Sequence, residues 1–134
     1  MVVSPQHRQI TLYLQFRQRS FKGPDVARFV AQLLQNLRGP SVLLWDGARI
    51  HQHHQVTALL HNHPRLVIQP FPGYAPELNP AEYVWAQADS ALANSAPAQL
   101  SELKALLSNT KRRMRRSPAL LWACLYASDL PWKR

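Results

Sequence analysis

The chain has 134 residues, 46% of them hydrophobic, which is enough for one compact core, and no apolar run approaches the length of a membrane span. Sixteen Lys and Arg against seven Asp and Glu leave a formal charge of +9. That excess points to a polyanionic partner, because Lys and Arg gain affinity for nucleic acid by displacing condensed counterions from phosphates. Met1 is not followed by a basic and then apolar secretory pattern, and the single cysteine, Cys124 in the apolar run 120–125, excludes an intrachain disulfide framework.

In chain order, residues 8–16 alternate apolar and polar (Ile10, Leu12, Leu14 and Phe16 against Gln9, Thr11, Tyr13 and Gln15), which predicts an antiparallel or edge strand with one buried face. From Pro24, Val26, Phe29, Val30, Leu33, Leu34 and Leu37 recur at helical spacing, and Gly39-Pro40 ends that helix. Val42-Leu43-Leu44-Trp45 is a short continuous apolar run stopping at Asp46-Gly47, the pattern of a parallel strand buried on both faces. A weaker helix over about residues 52–63 and a second buried strand over 65–69 complete a strand–helix–strand unit. Such sheets place their sites at the carboxyl ends of strands, where Asp46 stands.

The proline-rich segment 70–76 predicts a stiff loop. Asn79-Pro80-Ala81-Glu82 reads as a capped helix start, with the helix running to about Ala93. Another helix over about residues 98–116 is expected to bury Leu100, Leu103, Leu106 and Leu107, and a last one over 118–127 carries Leu121, Trp122 and Leu125. Trp45, Trp85 and Trp122 fall within apolar patterns and read as core.

Asp46 and Glu82 are the candidate chemistry. A carboxylate at a strand end and another in the first turn of a later helix can converge on a divalent ion, which prefers hard oxygen ligands. Two plainer readings stand beside this one: Glu82, three residues after Asn79, as a capping carboxylate, and Asp46-Gly47 as a turn. Lys104, Lys111, Arg112, Arg113, Arg115 and Arg116 are candidate phosphate contacts, or cations solvated at a helix end. The histidines at 51, 53, 54, 61 and 63 lack the ordered spacing of a zinc site.

The segments Leu43-Leu44-Trp45-Asp46-Gly47-Ala48-Arg49-Ile50-His51 and Pro70-Phe71-Pro72-Gly73-Tyr74-Ala75-Pro76-Glu77-Leu78-Asn79-Pro80-Ala81-Glu82-Tyr83-Val84-Trp85 resemble the signature of DDE transposases of bacterial insertion sequences in the mariner superfamily. The resemblance implies an α/β, ribonuclease H-like fold, with residues 1–134 as a single partial catalytic domain truncated at the amino-terminal end. It implies that Asp46 and Glu82, with 35 residues between them, are the second and third members of the family's catalytic triad, holding Mg2+ or Mn2+. The family's first Asp lies on a central strand preceding the segment that matches residues 10–16. Asp25 alone precedes Asp46 among the acids, and it opens a helix. Gly47 stands where the family usually has Asn, and Asp89 where a Lys commonly follows the motif tryptophan.

The implied activity is metal-dependent cleavage and transfer of DNA strands by a cytoplasmic, nucleoid-associated protein with no membrane contact. On this reading the chain is inactive alone, and an upstream-frame polypeptide or a second copy supplies the missing strand and Asp. Strands left without their neighbour are expected to re-pair or to pair with a second copy. The alternative is a non-catalytic, basic DNA-binding or dimerising relic that regulates transposition.

Overall fold

The computed structural model describes residues 1–132, which divide into two compact units, one built from residues 1–16 and the chain from Pro76 onward, the other from Arg17–Ala75.

In the first unit a short hairpin pairs β1 (Val2–Ser4) with β2 (Gln9–Thr11) in antiparallel register, Val3 opposite Ile10. The turn closes through the Arg8 N–H donating to the Pro5 carbonyl, with Arg8 in the left-handed region at φ 49°. The alternation over 8–16 thus marks an antiparallel strand, but the ladder stops at Thr11: beyond it no described segment lies alongside to accept hydrogen bonds. The inward positions still do what the pattern says, since Ile10 and Leu12 are buried.

Those two residues join Val84, Ala88, Met114, Leu121, Cys124 and Leu125 in one apolar cluster, built on α3 (Pro80–Ala93), α4 (Leu100–Arg115) and α5 (Pro118–Ala127). Ser117 caps α5 by accepting from the Leu120 N–H. Cys124 is core, and burial pushes its thiol above the usual range. On α4 the inward stripe lies later than the leucine pattern indicates. Leu100 is exposed, Leu103, Leu106 and Leu107 are half-buried, and Thr110 and Met114 are the buried positions, because the half of the helix beyond Leu107 faces the cluster. Trp85 departs from expectation too: it is 41% exposed, edge-on to Phe16, while Val84 and Ala88 take the inward face of α3.

The second unit begins with α1 (Gly23–Asn36), whose Val30 and Leu34 are buried. Its start is crowded: a Cβ at Gly23 would fall on the His53 ring, so only glycine fits there. The helix ends at Asn36 with Leu37 extended, the chain then turns at Gly39 through φ +74°, and the Arg65 guanidinium donates to the Leu34 and Gly39 carbonyls at 2.5 and 2.9 Å. Strand β3 (Ser41–Trp45) then pairs in parallel with β4 (Leu66–Pro70), Leu43 opposite Ile68, through a 3-10 turn at Arg49–Gln52 and α2 (His54–His61). The helix predicted over 52–63 is shorter because the 3-10 turn takes its start and His53 caps it.

The expectation that β3 is buried on both faces is not met. Val42 is 65% and Val67 57% exposed, with Leu44 beside them, so one face of this sheet is open. A two-stranded sheet has too little area for helices on both sides, and α1 and α2 pack against each other within this unit. The described strands form two separate two-stranded sheets. No described helix is long and apolar enough to cross a membrane.

Candidate functional site

Asp46 follows the last residue of β3, where the strand has just given its Trp45 carbonyl to the Phe71 N–H at 2.8 Å. Its side chain is 64% exposed. One oxygen, Oδ1, accepts from the Ala48 N–H at 3.0 Å, so the turn reading of Asp46-Gly47 is met in part. Oδ1 also lies 3.3 Å from the His51 Nδ1, while Oδ2 makes no hydrogen bond or ion pair with a described residue. The His51 ring lies flat on Trp45, with centroids 4.2 Å apart and planes within 3°, and its Nδ1 is 3.0 Å from the Asp46 carbonyl.

Glu82 belongs to the other unit, in the first turn of α3. Asn79 caps that helix by accepting from the Ala81 N–H at 3.1 Å, and the Asn79 N–H itself donates to the Pro76 carbonyl at 2.9 Å. The donor that a capping glutamate would serve is therefore already paired, and the exposed Glu82 carboxylate makes no contact with another described charge or donor. The capping reading of Glu82 thus fails on geometry.

Both carboxylates are exposed, hard-oxygen donors with at least one uncommitted oxygen, which is the chemistry a Mg2+ or Mn2+ ion takes. Among the described residues no group of three His, Cys, Asp or Glu side chains converges. His53 and His63 are engaged locally instead: His53 Nδ1 accepts from the Gln55 N–H, and His63 Nδ1 lies 2.7 Å from the Leu59 carbonyl.

Asp25 is excluded as a further ligand by its surroundings. Its carboxylate is 3% exposed, receives two hydrogen bonds from Arg19 at 2.9 and 3.1 Å and one from the Lys22 N–H at 2.9 Å, and has Arg17 and Arg28 at 3.1 and 3.6 Å. The Arg19 hydrogen bonds, then the Lys22 N–H, hold its carboxyl at about 2, well below the usual range, with burial opposing them and the Arg17 charge adding to them. The paired Arg17 and Arg19 ahead of a helix-opening acid were the sequence signal for this cluster.

Of the predicted phosphate contacts, Lys104, Arg112, Arg113, Arg115 and Arg116 are exposed and Lys111 is half-buried. None of the six forms a salt bridge with a described acid; the acids that do are Asp25 and Asp46. Arg112, Arg113 and Arg115 fill the last turn of α4, and Arg115 lies 5.9 Å over the Tyr13 ring. Sequence reasoning missed a cleft of about 380 Å³ between α3 and α4, where Ala91 and Leu106 give an apolar floor among Ser90, Asn94, Asn109 and Arg113.

Residues 1–104 match the sequence family described as DDE superfamily endonuclease. The chain belongs to that family. In its fold, the DDE-family chain is similar to the catalytic domain of the Mos1 mariner transposase, with a TM-score of 0.57 at 16% identity over 87% of this chain. The ribonuclease H-like α/β class follows from that likeness. The chain spans 66% of the length of that domain. No curated protein matches it.

Proposed function

We propose that residues 1–134 are part of one catalytic domain of an insertion-sequence transposase, acting on DNA phosphodiesters through a divalent ion held by Asp46 and Glu82. The observation that carries this reading is the state of the two carboxylates, each exposed and with oxygens not used by the fold, in segments that resemble the signature of DDE transposases. Asp46 stands at a strand end and Glu82 in the first turn of a helix behind a proline-rich segment, so regular structure places the backbone that carries each. Mg2+ or Mn2+, when bound, would polarise the scissile phosphate and activate water or a 3′-hydroxyl. Lys104, Lys111, Arg112, Arg113, Arg115 and Arg116 contact the phosphate backbone and set the register of the DNA without reading its sequence.

Asp25 is tied up by three arginines and is not free to be the third carboxylate of a two-ion clamp; on the proposed reading an upstream-frame polypeptide or a second copy supplies it. On this reading the 134 residues alone bind DNA and do not cut it. The cations of α4, none in a salt bridge with a described acid, also favour a second reading, a basic module that occupies DNA and regulates transposition without catalysis.

The test is Mn2+-dependent nicking of supercoiled plasmid by the 134-residue chain, alone and with a polypeptide carrying the family's preceding strand and Asp. We expect no nicking alone, nicking on complementation, and loss of it in Asp46→Ala and Glu82→Ala. Salt-sensitive binding without nicking under either condition favours the regulatory module. Nicking by the chain alone, abolished by both substitutions, contradicts the need for a third carboxylate.

A further inference from the structure

We propose that His51 is a positioning residue: braced flat on Trp45, it holds the Asp46 carboxylate in one orientation, with Oδ1 turned to the protein and Oδ2 left for a cation. The inference rests on the reading of Asp46 as a metal ligand and adds to it the device that presents the ligand.

The Asp46 carbonyl can only accept a hydrogen bond, and His51 Nδ1 lies 3.0 Å from it, so Nδ1 carries the proton. The same Nδ1–H is 3.3 Å from Asp46 Oδ1. The ring is thus hydrogen-bonded to the Asp46 backbone and close to its side chain, and Oδ1 itself accepts from the Ala48 N–H at 3.0 Å. A carboxylate at a strand end that is 64% exposed would otherwise rotate freely about two bonds. The Ala48 N–H on Oδ1, with the His51 ring 3.3 Å away on the same oxygen and no partner among the described residues on Oδ2, favours one rotamer.

The imidazole cannot turn away, because its ring is stacked on Trp45 with planes within 3° and only 20% of its side chain is exposed. Trp45 is held by the β3–β4 ladder through its own carbonyl. Rigidity therefore passes from the sheet to Trp45, to His51, to the carboxylate. Groups that orient a metal ligand in this way set affinity by about 10- to 100-fold when removed.

The experiment has two arms. In the first, nitrogen NMR of the neutral His51 ring in the metal-free chain is expected to report the Nδ1–H tautomer; the Nε2–H form overturns the proposal. In the second, Mn2+ affinity is measured by electron paramagnetic resonance for His51→Ala, His51→Asn and His51→Gln. An Asn amide can place its N–H where Nδ1–H stands, and a Gln amide reaches where Nε2 stands. We expect affinity to fall about 10- to 100-fold in His51→Ala and His51→Gln, and to stay near wild type in His51→Asn. Unchanged affinity in His51→Ala overturns the proposal, as does rescue by Gln and not Asn, which would make the ring itself a ligand. If Asp46→Asn binds Mn2+ like wild type, the metal reading of Asp46 is what fails, and the tautomer alone then decides whether His51 holds the carboxylate.

Discussion

The two units of this chain are stabilised by different means. The unit carrying Glu82 has eight buried hydrophobic residues in one cluster, drawn from a hairpin and three helices. The unit carrying Asp46 buries Val30, Leu34 and Val56, leaves one sheet face open, and ties its first helix down with a buried carboxylate among arginines. Apolar burial does not titrate, whereas an ion cluster does. The candidate carboxylate at the end of β3 is thus mounted on the unit whose stability responds to solution conditions.

Substitutions separate the two modes. In the first unit Leu121→Ala should cost most, about 2–5 kcal/mol of unfolding free energy by chemical denaturation, since Leu121 is 0% exposed and α5 packs against α3, α4 and β2, which cannot fully close the cavity left. In the second unit Gly23→Ala comes next. At an open helical position the change would stabilise, but here the added methyl meets His53, and the expected cost is about 1–3 kcal/mol.

Acid should then act on the second unit first. Asp25 has a folded value of about 2 against an ordinary 3.8, so its contribution is fully present above about pH 4 and is lost as pH falls towards 2. Asp25→Asn should remove that acid sensitivity from amide exchange within residues 17–75 and leave the α5 amides unaffected; identical acid profiles for both proteins would contradict it. The smallest effect, within about 0.5 kcal/mol, belongs to Val42→Thr on the open sheet face, and a larger loss at high protein concentration would reveal that a second copy covers it.

The order of elements was legible from periodicity and punctuation: the helix after Pro24, the strand ending at Asp46, the Asn79 cap and the two final helices all stand where the pattern puts them. Strand length and strand burial were not. Ile10 to Phe16 alternate as a long strand does, yet pairing needs a neighbour, and the ladder ends at Thr11. Val42 and Leu44 read as doubly buried, since an apolar run cannot say whether both of its faces are covered. Asp46 and Glu82 stood out because their flanking residues resemble a family signature, while the stacking of His51 on Trp45, five residues after Asp46, emerged only once the chain turned back at Ala48.

Whether Asp46 and Glu82 hold the same ion is best tested by a double-mutant cycle on Mn2+ affinity, comparing Asp46→Ala, Glu82→Ala and the double variant. If both carboxylates share one ion, each single substitution weakens binding nearly as much as the two together. Losses that simply add, or a Glu82→Ala variant that binds like wild type, would contradict a common metal site.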